Sequence, residues 1–206
     1  LVLSSAYRQA GVATSDKLAL DPRNRLVARG PRTRLSAEMM RDQALALSGK
    51  LSDKMYGKPV MPPQPEGVWR SVYNGESWTT AEGEDRFRRA VYTYWKRTSG
   101  YPALATFDMP SRDVCVVRRI ATNTPLQALA TLNDVAYVEL AQGLAVRMAA
   151  AAEVPAAQIA AGYRLATGQA LHAAKLRRLL ELYEAAAAAF DADPAAAQPL
   201  AADRAT

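Results

Sequence analysis

The chain has 206 residues, half of them hydrophobic, and carries 26 Lys and Arg against 20 Asp and Glu for a formal net charge of +6. That length and apolar content suffice for one domain with a buried core and exclude disorder of the whole chain. A single cysteine excludes an internal disulfide, and with a single histidine it cannot assemble an ordinary zinc or haem site, so no cofactor is expected in this chain.

No run approaches the roughly 18 apolar residues that span a bilayer, and a soluble portion is expected. The sequence opens on Leu1-Val2-Leu3 with no initiator methionine or leader, as expected of the C-terminal part of a longer polypeptide. Charge is uneven: residues 1–125 hold 20 Lys and Arg against 12 Asp and Glu, whereas 126–206 hold 6 against 8. A basic half suits nucleic acid, an anionic polymer or an acidic partner protein, or is simply a solvated surface.

After a short apolar opening the pattern weakens into loop past Gly11, with a turn at Asp21-Pro22 and alternation around Leu26 and Val27. A helix is expected over 36–48, with Ser36 as N-cap, Glu38 in the first turn and Gly49 as a left-handed cap. Met40, Ala44, Leu47 and Leu51 share one face of it, expected to be core. Arg29, Arg32 and Arg34 are expected to pair with Glu38 and Asp42, Arg34 and Glu38 having helical spacing, with service to a ligand as the alternative.

Residues 56–85 are rich in Pro and Gly and predict a long surface loop pinned by Trp69, Tyr73 and Trp78, either a binding loop or a cap on the core. Residues 89–96 alternate and predict a strand, with a helix as the alternative. Prolines at 102 and 110 bar helix before them, and the next stretch reads as loop and short strand, with a short apolar run at Val114 to Val117 around Cys115. That cysteine is read as a small buried hydrophobe, or as a reactive thiolate if exposed beside Arg112, Arg118 and Arg119.

Thr124-Pro125-Leu126-Gln127 is a capping box with proline at the first helical position, followed by an apolar stripe of Leu126, Leu129 and Ala130. Asn133-Asp134 breaks this helix or caps a second one to about residue 151, with Tyr137, Leu140, Leu144 and Met148 on one face. Helices over 155–167 and 171–190 follow, the last with Leu176, Leu179, Leu180, Tyr183, Ala187 and Phe190 as its stripe. His172 reads as a surface residue. The expected fold is mainly α: one helical domain over 1–190 with C-terminal antiparallel helix hairpins, long irregular loops and at most one small β-sheet, then a disordered Ala/Pro-rich tail over 191–206.

The stretches SSAYRQ at 4–9, NRLVARGPRTRLSAEMMRD at 24–42, PEGVW at 65–69, VYTYWKR at 91–97, ATFDMPSRDVCVVRR at 105–119 and NTPLQALATLND at 123–134 resemble the C-terminal domain of large secreted planctomycete proteins, domain of unknown function 1553. The resemblance covers about residues 1–185, with departures at Gly30, where a bulkier residue is usual, and at Gln169-Ala170. It implies an extracytoplasmic location, periplasmic or secreted, and upstream domains of the same polypeptide as partners. A planctomycete-type cytochrome c domain would lie among them, so haem c would belong to the upstream part.

On residue types, the candidate ligand-binding surface is Trp95, Lys96, Arg97, Asp108, Arg112, Arg118 and Arg119. Arginine forks grip carboxylates or sulfates bidentately, and an aromatic face stacks on a sugar, so an acidic or sulfated polysaccharide is the expected class of ligand. The same residues also read as a structural network neutralised by Asp108 and Asp113. The expected function is a binding or interaction module. The alternative is a polysaccharide-active hydrolase or oxidoreductase using Asp108 and Asp113, or the Glu82, Glu84, Asp85 cluster, as acid and base. Nucleic-acid binding ranks last for want of a recognition motif.

Overall fold

A computed structural model describes residues 1–31, 33–69 and 75–201. Arg32, Tyr73 and the end of the alanine-rich tail at 202–206 lie outside the described residues. The chain forms two compact units, Leu1–Leu35 and Ser36–Thr206, and is mainly α.

In the first unit, α1 (Ser15–Leu20) begins where the sequence pattern reads as loop; the Thr14 hydroxyl caps it by accepting from the Lys17 amide at 3.4 Å. Its six residues bury nothing, so no apolar periodicity announces it. Asp21 at its C-terminal end accepts the amides of Arg25 and Leu26 at 2.9 and 2.7 Å. The buried Arg29 guanidinium donates to the carbonyls of Asp21 and Pro22 at 2.8 and 2.7 Å. Arg29, expected to pair with helix carboxylates, therefore closes its own loop. A Cβ on Gly30 would lie 2.5 Å from the Gln9 carbonyl oxygen, so the bulkier residue usual at this position has no room here.

In the second unit, α2 (Ala37–Ser48) has the expected caps: the Ser36 hydroxyl accepts from the Met39 amide and Gly49 is left-handed. Its buried residues are Ala37, Arg41, Leu45 and Ser48, one position round from the expected stripe; Met40 and Ala44 pack only at the edge of the core. Two contacts set this rotation. Arg41 reaches the Arg86 carbonyl at 3.1 Å, and Ser48 lies against Gly143 of α5 (Val135–Ala151), where a Cβ would fall 2.9 Å from the Ser48 side chain and carbonyl.

Short α3 (Pro102–Thr106) sets Ala103, Leu104 and Phe107 into the core with Tyr101 and Tyr137. The Tyr101 hydroxyl donates to the Pro63 carbonyl at 2.7 Å, and burial pushes the Tyr137 hydroxyl up to about 12. Next come α4 (Pro125–Asn133), α6 (Pro155–Thr167) and α7 (Ala173–Ala192). Helix α5 packs on α2, α4 and α6, and α6 on α7. No residue of α7 is buried; Leu176, Leu179 and Leu180 of the expected stripe are half-buried, and Tyr183 and Phe190 are exposed. Where disorder is expected, α8 (Pro194–Ala201) forms, in keeping with the high helix propensity of alanine.

Residues 89–96 form neither the expected strand nor a regular helix. After a 3₁₀ turn at Gly83–Phe87 comes another at Ala90–Tyr92, and pairing with the preceding chain is confined to isolated bridges, Ser52 with Arg88 and Val60 with Thr93. The ladder cannot run on between them because Tyr56 and Gly57 adopt positive φ, 63° and 93°, which turns their amides away from a strand partner. Arg88 fills the gap. It is 2 % exposed and donates to the carbonyls of Lys58, at 3.1 Å, and of Tyr56, while its guanidinium lies 3.8 Å from the Tyr92 ring centroid. The Tyr92 hydroxyl in turn accepts from the Tyr56 amide at 2.8 Å. The run at Val114 to Val117 is likewise no strand, and Cys115, read as a buried hydrophobe, is exposed.

Arg88→Ala is expected to destabilise the protein by about 2–4 kcal/mol, because the Tyr56 and Lys58 carbonyls lose their donor and the loss of a buried side chain leaves a cavity. Arg88→Lys should recover little, since an ammonium cannot fork between two carbonyls and lie on a ring; urea unfolding of both variants checks this. Gly143→Ala should cost about 1–3 kcal/mol through overpacking against α2. Gly162→Ala should cost less, because its added Cβ meets the flexible Met148 side chain; thermal unfolding of the pair would show the order.

Candidate functional site

The capping box predicted at Thr124 forms: the Thr124 hydroxyl accepts from the Gln127 amide, and the Gln127 side-chain oxygen accepts from the Thr124 amide. Gln127 does more than cap. Its side-chain nitrogen donates to the Thr106 carbonyl at 3.0 Å, the Thr122 hydroxyl at 3.1 Å and the Asp108 carboxylate at 3.3 Å. Asp108 also accepts from the Thr122 amide at 2.7 Å and its hydroxyl at 2.8 Å, and sits at φ 64°. These bonds tie the end of α3 to the start of α4, so Asp108 holds backbone in place.

This arrangement inverts α4. Gln127 is 3 % exposed, while Leu126 and Leu129 are 61 % and 55 % exposed. The expected inward stripe of Leu126, Leu129 and Ala130 thus turns its leucines to solvent, keeping only Ala130 against the core. A polar side chain faces inward because it is fully hydrogen-bonded there, and the helix cannot bury both faces. The preceding loop is exposed as well: every residue of 111–121 faces solvent, including Val114, Val116, Val117 and Ile120.

That loop is held at its two ends. Near one end the Trp95 indole nitrogen donates to the Ser111 carbonyl at 3.3 Å and Arg112 lies 5.4 Å from the Trp95 ring. Near the other, Arg119 grips Glu38 with both carboxylate oxygens within 2.9 Å. Burial pushes the Glu38 carboxyl up, but the hydrogen bond and charge of Arg119, together with hydrogen bonds from the Ser36 side chain and the Glu38 amide, hold the group below its ordinary value. Glu38, expected to pair along its own helix start, is thus an anchor for the loop, and Asp42 takes Arg89 at 3.2 Å and the Ala90 amide at 2.6 Å.

Lys96 belongs to a different group. It pairs with Glu76 at 2.6 Å and lies 5.4 Å from the Trp69 ring, and the Tyr94 hydroxyl donates to the same carboxylate at 2.9 Å. Arg97, Arg112 and Arg118 are exposed. The seven candidate residues therefore fall into separate local groups. Of the acidic cluster, Glu84 accepts from Ser52 and Asp85 pairs with Lys54; Asp113 is exposed on the loop. Sequence reasoning missed Gln127 as a buried hub and Glu76 as the partner of Lys96. The capping box was the only signal for the first, and nothing in spacing marks the second.

Cys115 lies on the exposed loop and His172 at the start of α7, and the chain has no second cysteine or histidine; these residues do not fit a haem c attachment. Among the described residues no group of three His, Cys, Asp or Glu is placed to hold a metal ion, and no helix is long and apolar enough to cross a membrane.

Hydrogen bonds from Lys96, then from Tyr94, hold the Glu76 carboxyl below its ordinary value. A depressed folded value means the pair stabilises the loop above the ordinary carboxylate value and that this is lost as pH falls through the folded one. Glu76→Gln should flatten the acid-range loss of stability around Trp69 and Trp78, followed by tryptophan fluorescence during urea unfolding across the carboxylate range. An unchanged slope would contradict the pairing.

No curated protein and no solved structure matches this chain. Residues 1–183 match the family described as PSD1, protein of unknown function (DUF1553), and the chain belongs to that family.

Proposed function

We propose that this domain is an extracytoplasmic interaction module that docks a partner domain of its own polypeptide through the outer face of α4 and the 111–121 loop. The observation that carries this reading is the inversion of α4, which leaves Leu126 and Leu129 in water, like the valines of the preceding loop. So many large apolar side chains exposed over one stretch, 114–129, support an interaction site there. Exposed Arg97, Arg112 and Arg118 suit a partner whose rim is acidic, since such charges steer association and fix register.

The anion or acidic-polysaccharide site built on arginines finds less support, because Arg119 is occupied by Glu38 and Lys96 by Glu76. Catalysis by Asp108 and Asp113 finds less still, the first carboxylate being bound to Thr122 and Gln127. A cytochrome c domain upstream would be one such partner, and the resemblance in sequence supports it.

Hydrogen exchange compared between residues 1–206 alone and the longer polypeptide tests the reading. Protection of 114–132 is expected only in the latter, and should disappear in Val117→Asp/Leu129→Asp, whose folded core is untouched. Equal exchange in both forms would contradict it.

A further inference from the structure

Residues of 64–69 and 75–80 in the proline-rich loop line an open cavity of about 510 Å³, within the range of about 300–1,000 Å³ usual for small-ligand sites. Its lining includes Gln64, Glu66, Trp69, Glu76 and Trp78. Two of these residues carry a buried polar atom with no hydrogen-bond partner: the indole nitrogen of Trp69, a residue 8 % exposed, and the side-chain oxygen of Gln64. An unpaired buried polar group of this kind is destabilising, so two at one cavity call for a reason.

The rings around them are fixed. Trp69 meets Trp78 edge-on at 5.2 Å, and Trp78 stacks on Tyr101 at 13° and donates to the Pro62 carbonyl at 2.8 Å. Glu76 is held by Lys96 and Tyr94.

From this geometry we infer that the cavity binds a neutral saccharide. The unpaired indole N–H requires an acceptor, which excludes an ammonium group as its partner; the unpaired amide oxygen requires a donor, which a carboxylate or sulfate lacks. Hydroxyls supply both, and a sugar ring sets them beside an apolar face that lies on tryptophan. Glu66 and Glu76, with Lys96 paired to the second of them, disfavour anions and can accept further hydroxyls. The inference reverses the charge of the sugar expected from the arginines, and it does not depend on the docking face of α4.

The test uses residues 1–206 with cellobiose, maltose and N-acetylglucosamine as probes and glucuronate and galactose 6-sulfate as anionic controls. Binding is followed by tryptophan fluorescence and by calorimetry. Saturable binding of at least one neutral sugar is expected in the millimolar range or tighter. Trp69→Phe, which keeps a ring and loses the N–H, and Gln64→Leu should each weaken it about tenfold. Gln64→Leu should also leave the unfolding temperature unchanged or raise it, since it removes an unpaired buried oxygen. No binding of any neutral sugar, tighter binding of the anionic controls, or undiminished affinity in both variants would overturn the inference.

Discussion

The Gln127 side chain joins Thr106, Asp108, Thr122 and Thr124, and the exposed surface of this domain follows from that junction. A buried amide so fully engaged is costly to turn outward, because four partners would lose a bond at once. With Gln127 inward, the i−1 and i+2 neighbours Leu126 and Leu129 must lie on the outer side of α4. The connection 111–121, anchored by Trp95 at one end and by Glu38 at the other, adds its valines to the same exposed character. Function, on this account, comes from what the core refuses to bury.

Elsewhere the same economy of backbone partners recurs. Irregular chain at 52–60 and 88–93 has no ladder to satisfy its carbonyls, and Arg88 supplies the donors. Arg41 does the same for Arg86, and Arg29 for Asp21 and Pro22 in the first unit. Guanidinium suits this role because its donors are fixed in a plane and its charge is weakly hydrated. The basic excess of residues 1–125 is therefore partly structural, and only some of it, including Arg97, Arg112 and Arg118, faces water.

Helix existence was largely legible in the sequence; helix orientation was not. Ser36 with Gly49 and Thr124 with Gln127 announce their helices because capping is local chemistry read within four residues. Which face turns inward depends on partners far along the chain: Asp108 and Thr106 for Gln127, Arg86 for Arg41, Gly143 for Ser48. Apolar counting alone placed Leu126, Leu129 and Leu47 in the core and rotated both helices. The alternation of 89–96 misled for a related reason, since a strand needs a neighbour, and the neighbouring chain breaks off at Tyr56 and Gly57. Of the candidate site, the residue types were found but not their grouping. Spacing cannot show that Lys96 turns to Glu76 or that Arg119 turns to Glu38, and Trp69 was read as a loop pin without its unpaired nitrogen.

The most direct test of the inversion of α4 is thiol labelling of residues 1–206 in a Cys115→Ser background, comparing Leu129→Cys with Ala130→Cys under native conditions. The account predicts that Leu129→Cys reacts at a rate close to that of the unfolded chain while Ala130→Cys, against the core, reacts far more slowly. Slow labelling at 129 with fast labelling at 130 would place the leucines inside and contradict it.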